Sequence, residues 1–152
     1  MTLPKTIFVP HDFGAGSDHA LAYAVDLARA LGAEVTVMHA YELPTIGFPD
    51  GVLVATPELA SQVLEGANVG LKKAIEPHAG SGVPMRTLVK QGPTWLAITE
   101  TAAEMAAGMI VMGTHGRRGL PRALLGSVAE KVVRTAKCPV LTVHIDDLNT
   151  AI

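Results

Sequence analysis

A chain of 152 residues with 49% hydrophobic and 17% charged residues has the length of one domain and enough apolar content to bury a core. With that composition disorder is not the default reading, and a net charge of −2 gives no general attraction to nucleic acid or to an anionic membrane, so neither is expected as a partner. The single cysteine, Cys138, excludes an internal disulfide and a four-thiolate zinc site; with no signal-peptide pattern in MTLPKTIFVPHD and no apolar run of about 18 residues, a cytoplasmic location is expected.

The first apolar run, TIFVP at 6–10, reads as a short buried strand. Helical periodicity follows over 17–31, where Leu21, Ala24, Val25, Ala28 and Leu31 share one face. Ser17 is placed to cap its start and Gly32 to end it. EVTVMHA at 34–40 is the second strand. Segment 41–56, with Pro44, Gly47, Pro49 and Gly51, reads as a long irregular connection able to serve as a flap. Thr56 and Pro57 have the cap-then-proline order of a helix start, and that helix runs to about His78, weakened by Gly66 and Gly70.

MRTLVK at 85–90 is the third strand, and a helix is expected from about Pro93 to Gly108. MIVMG at 109–113 is the fourth strand. A last helix starts at Ser127, where Ser127 and Glu130 have capping-box spacing, and ends near Ala136. PVLTVH at 139–144 is the fifth strand and an apolar edge, which invites pairing with a second copy. This alternation predicts an α/β fold: one domain over 1–152, built as a doubly wound five-stranded parallel sheet with four main helices. Ligands in such sheets bind beyond the carboxyl ends of the strands where strand order reverses, which points to the segments after strands one and four.

The segment after strand four, GTHGRRGLPRALLGSV at 113–128, holds four glycines and three arginines and no acid. Glycines let backbone approach a ligand closely, and the loop delivers the chain to a helix N-terminus at Ser127, where unpaired N–H groups favour an anion. Arg117, Arg118 and Arg122 add charge suited to bidentate phosphate contacts. Together these features describe a phosphate cradle; solvated arginines and a plain helix cap are the alternative. No G-x-x-x-x-G-K-[ST] occurs, so the loop is not a Walker loop. GAGSDHA, after strand one, begins like a dinucleotide fingerprint but has His19 at its third glycine position. No H-x3-H or H-E-x-x-H spacing occurs, so no protein-only metal site is expected.

The spacing G-x2-G-x9-G-S, carried by Gly113, Gly116, Gly126 and Ser127, resembles the universal stress protein family in its ATP-binding branch. KTIFVPHDFGAGSDHAL, VTVMHAYE and IVMGTHGRRGLPRALLGSVAEKVVRTAKCPVLTVH extend the resemblance over the whole chain, least over 43–85. The resemblance implies a Rossmann-like, adenine nucleotide alpha hydrolase-like sheet, a homodimer, and ATP held with or without Mg²⁺ or Mn²⁺. By position it puts Pro10, His11 and Asp12 in the pocket wall after strand one, with Asp12 an acceptor for ribose or metal-linked groups. Ala40 offers backbone to adenine, Met112 and Gly113 flank base and ribose, and Gly116, Gly126, Ser127 and Val128 contact phosphates. His115 and Arg117 are further candidates in the same loop, although Arg117 and Arg118 fall where the family varies. His11 departs from the family, which often has a small residue there.

Three functions are open at this point. The leading one is a nucleotide-dependent switch or sensor in the stress response, read by an unknown protein partner. The second is a slow ATPase or autophosphorylating enzyme, for which Asp12, His11 and His115 are general-base candidates by position only. The third is a nucleotide-free dimeric interaction module.

Overall fold

The computed structural model describes residues 2–115 and 124–145. Five strands form a parallel sheet: β1 (Thr6–Pro10), β2 (Glu34–Tyr41), β5 (Met85–Gln91), β6 (Met109–Gly113) and β7 (Val140–Val143), in the order β5-β2-β1-β6-β7. The helices between them are α1 (Ala15–Leu31), α2 (Pro57–Ile75), α3 (Thr94–Glu104) and α4 (Ser127–Thr135). A 3₁₀ turn, Glu76–His78, extends α2 to the predicted end. The strand order reverses between β1 and β6, which are neighbours in register Ile7 to Met109.

Period-two alternation sorts the strand side chains into two cores. Ile7, Val9, Val35, Val37 and Val111 face α1 and α2 and pack with Leu21, Val25 and Leu71. Phe8, Met38, Ile110 and Met112 face α3 and α4 and pack with Ile98, Ala129 and Val132. The central strands are therefore apolar on both faces, as a sheet covered by helices on both sides requires. Their core side chains are fully or almost fully buried.

Four local expectations change. Segment 41–56 is not an irregular connection: β3 (Thr45–Phe48) and β4 (Gly51–Val54) pair antiparallel across Pro49 and Asp50. Helix α1 starts at Ala15 with Gly14 as its N-cap, so Ser17 lies inside the first turn rather than capping it. Helix α3 ends at Glu104, short of Gly108. The N-cap of α4 is Gly126, and no side chain caps that helix. Ser127 is its first residue, so the capping-box spacing with Glu130 has no bond behind it. The expected ends of the other helices hold: Gly32 terminates α1 at φ 64°, and the Thr56 hydroxyl accepts the Leu59 N–H at 3.2 Å.

Among the described residues, no helix is long and apolar enough to cross a membrane.

Candidate functional site

A cavity of about 640 Å³ opens at the carboxyl ends of β1, β2 and β6, against the first turns of α3 and α4. It is of the size that small-molecule sites have. Pro10, His11, Asp12, Ala40, Met112, Gly113, His115, Gly126, Ser127 and Val128 all line it, so the fold brings ten of the predicted residues to one place. Gly116 and Arg117 lie outside the described residues, as do Arg118 and Arg122.

The turn after β1 is held by its own polar groups. The Asp12 carboxylate accepts from the Gly14 N–H at 2.9 Å and from the Ser17 hydroxyl at 2.7 Å. Ser17 Oγ in turn accepts the Asp12 N–H at 3.1 Å. This reciprocal pair explains why Ser17 is 8% exposed inside a helix turn instead of sitting at its cap.

His11 is a structural part of the same turn. Its Nδ1 accepts the Phe13 N–H at 3.1 Å, which leaves the ring proton on Nε2 for Asp18 Oδ1, also at 3.1 Å. Its side chain is only 1% exposed. Burial lowers its pKa below the ordinary histidine value, against the opposing pull of Asp18 and Asp12. The imidazole is therefore built into the turn itself. With both ring nitrogens engaged, it is poorly placed to act as a general base. His39 Nδ1 donates to the His11 carbonyl at 2.8 Å, and the His39 ring stacks on Phe13 with centroids 4.2 Å apart. Phe13 takes the left-handed backbone conformation at φ 62° to place that ring.

Glycine is required where backbones meet. A Cβ on Gly126 would lie 2.7 Å from the Thr114 carbonyl oxygen, and one on Gly113 would lie 3.1 Å from the Gly16 carbonyl group. The first turn of α4 thus reaches the cavity on bare backbone. Gly126, Ser127, Val128 and Ala129 form that wall, with no side-chain cap on the helix N-terminus. Met38, Ala40, Ile98 and Met112 add apolar lining to the cavity. No lysine or arginine lines the cavity among the described residues. No group of three or more His, Cys, Asp or Glu side chains there has metal-binding geometry.

Sequence reasoning left out Ser17, Met38, His39, Thr94, Ile98, Thr114 and Ala129 as cavity residues. Met38 was accessible to it, because Met38 and Ala40 lie on one face of β2 by simple alternation. Thr94 and Ile98 carry no such signal, since their presence depends on how α3 packs.

The comparisons decide the family. The model described as "Universal stress protein family" matches residues 4–144. The chain belongs to the universal stress protein family. It is 38% identical to a universal stress protein of Methanocaldococcus jannaschii over 93% of this chain and 82% of that one. It is also 38% identical to a universal stress protein of Thermus aquaticus over 92% of this chain and 98% of that one. Among solved structures, a universal stress protein in complex with cAMP shares the fold at TM-score 0.72 and 24% identity, covering 94% of this chain and 99% of that one. A universal stress protein from Archaeoglobus fulgidus in complex with dAMP does so at TM-score 0.62 and 23% identity, over 93% and 97% of the two chains.

Proposed function

We propose that this universal stress protein binds an adenine nucleotide, ATP foremost, in the cavity at the β1–β6 switch point, and works as a nucleotide-dependent switch in the stress response. The observation that carries the reading is the uncapped N-terminus of α4 entering the cavity behind Gly126, a position with no room for a Cβ. Unpaired N–H groups and the helix dipole at such an end favour phosphate. The apolar wall of Met38, Ala40, Ile98 and Met112 suits a base, and two proteins of the same fold are described in complex with cAMP and dAMP.

In this reading Ala40 offers backbone to adenine, Met112 and Gly113 flank base and ribose, and Asp12 faces ribose or a phosphate-bound Mg²⁺ or Mn²⁺. Gly126, Ser127 and Val128 hold phosphate through their backbone, with Pro10, His11 and His115 completing the wall. Gly116 and Arg117 belong to the phosphate side by their place in the motif. The protein is one cytoplasmic domain over 1–152, and two copies join along β7, the edge strand of the sheet. Binding shifts the population of two surface states only as far as ATP prefers one of them.

The test is thermal melting with and without Mg-ATP, ADP, AMP and cyclic AMP. Saturation at about 100 times Kd adds about 2.7 kcal/mol of stability, a rise of a few degrees. A rise with ATP that disappears in Gly126→Asp supports the reading. No rise with any nucleotide leaves the interaction-module reading standing, and ADP release lost in a folded Asp12→Ala variant would favour the enzyme.

A further inference from the structure

Three side chains just past the ends of β6 and β7 form a hydrogen-bonded chain that runs from the cavity to the surface. Thr114 is 3% exposed, and its hydroxyl lies 3.0 Å from His115 Nδ1 and 3.2 Å from His144 Nδ1. Thr114 and His115 line the cavity, whereas His144 does not line it and is exposed. The Thr114 N–H donates to the Val143 carbonyl at 3.2 Å, which fixes the two strand ends to each other. His115 Nε2 is buried and has no hydrogen-bond partner among the described residues. A buried polar atom left in that state is uncommon in a native protein and calls for a partner.

A hydroxyl carries one proton, so Thr114 donates to one imidazole and accepts from the other. Two neutral rings are thereby tied to opposite tautomers. In one arrangement His144 Nδ1–H donates to Thr114, Thr114 donates to His115 Nδ1, and the His115 proton sits on Nε2. In the other the direction reverses, and His115 Nε2 is a bare acceptor.

The surroundings of His115 favour the first arrangement when a ligand is held. A Cβ on Gly126 would lie 3.6 Å from the His115 Cα, and the Thr114 carbonyl accepts the Gly126 N–H at 2.7 Å. His115 therefore stands beside the uncapped N-terminus of α4, whose unpaired N–H groups call for an acceptor. A phosphate oxygen takes an N–H and is repelled by a ring lone pair. With no lysine or arginine on the cavity wall among the described residues, one further donor counts.

We propose that Thr114 and His144 are positioning residues that set the His115 tautomer, so that His115 gives its Nε2–H to a phosphate oxygen of the bound nucleotide. The proposal rests on the nucleotide reading above and adds to it a neutral donor whose proton is placed by a histidine at the surface.

The experiment is ¹⁵N spectroscopy of the histidine rings in the wild type with and without ATP, at pH ~8, above the ordinary histidine range. The two rings are assigned through His115→Gln and His144→Gln. With ATP bound, His115 should carry its proton on Nε2 and His144 on Nδ1. Titration with ATP should show binding weakened about ten-fold in Thr114→Val and largely restored in Thr114→Ser, as for a lost bond to a charged group. ATP-bound protein with the His115 proton on Nδ1, or with both rings in the same tautomer, overturns the proposal and leaves the nucleotide reading intact. ATP that changes neither the melting temperature nor the ring spectra overturns both. Should Thr114→Val fail to fold, the wild-type spectra decide alone.

Discussion

Gly126 and Thr114 meet backbone to backbone: the Gly126 N–H donates to the Thr114 carbonyl oxygen at 2.7 Å, and a Cβ on Gly126 would sit 2.7 Å from that same atom. One oxygen both fixes the start of α4 and forbids a side chain there. Gly126→Ala should therefore displace the helix N-terminus and cost about 1–3 kcal/mol, the range for overpacking at a tight site. Calorimetric melting reads the loss. Isothermal titration with ATP should show weaker binding in Gly126→Ala and none in Gly126→Asp, whose carboxylate adds repulsion to bulk.

His11 makes the fold sensitive to mild acid. A free histidine titrates near pH ~6.5, and burial holds His11 below that value in the folded chain. Between the two values the unfolded chain binds the proton and the folded chain does not. The His11 contribution is complete above about pH 6.5 and is lost as pH falls toward the folded value. Melting temperature followed downward from pH 7.5 should decline in the wild type, and His11→Val should flatten that decline. An equal slope in both proteins would assign the acid sensitivity to other groups.

Two glycines of α2 should respond to alanine with opposite signs. Nothing lies within 4 Å of a Cβ on Gly66, so Gly66→Ala should gain about 0.5–1 kcal/mol of helix stability. A Cβ on Gly70 would lie 2.7 Å from the Phe13 ring, which is itself stacked on His39. Gly70→Ala should be destabilising despite the same gain in propensity, because the ring must move. Urea denaturation of the pair checks the sign of each.

Ser17→Ala removes the hydroxyl that donates to the Asp12 carboxylate and accepts the Asp12 N–H. Loss of this buried pair should cost about 1 kcal/mol. If Asp12 faces the nucleotide, the same variant should also weaken ATP binding, since its carboxylate is no longer oriented. Ser17→Thr keeps the hydroxyl and should restore part of both. Unchanged affinity with reduced stability would confine Ser17 to the fold.

Five parallel strands, four helices, the switch point between strands one and four, and the family were all legible in the sequence. Those features are written in short-range patterns: alternation along 6–10 and 109–113, a 3.6-residue period over 17–31, and glycine spacing over 113–127. The hairpin was also legible, since Pro49, Asp50 and Gly51 stand between two β-prone runs, but the density of turn residues suggested an irregular segment instead. Tertiary structure alone decided that Ser17 bonds to Asp12 rather than capping α1, that His11 turns its ring toward Phe13 and Asp18, and that Thr94 and Ile98 reach the cavity. It also decided that Gly70 is needed and Gly66 is not. Periodicity is a property of residues a few positions apart. The space left for a Cβ or an imidazole is set by segments that are distant in the chain and meet only when the sheet and helices pack.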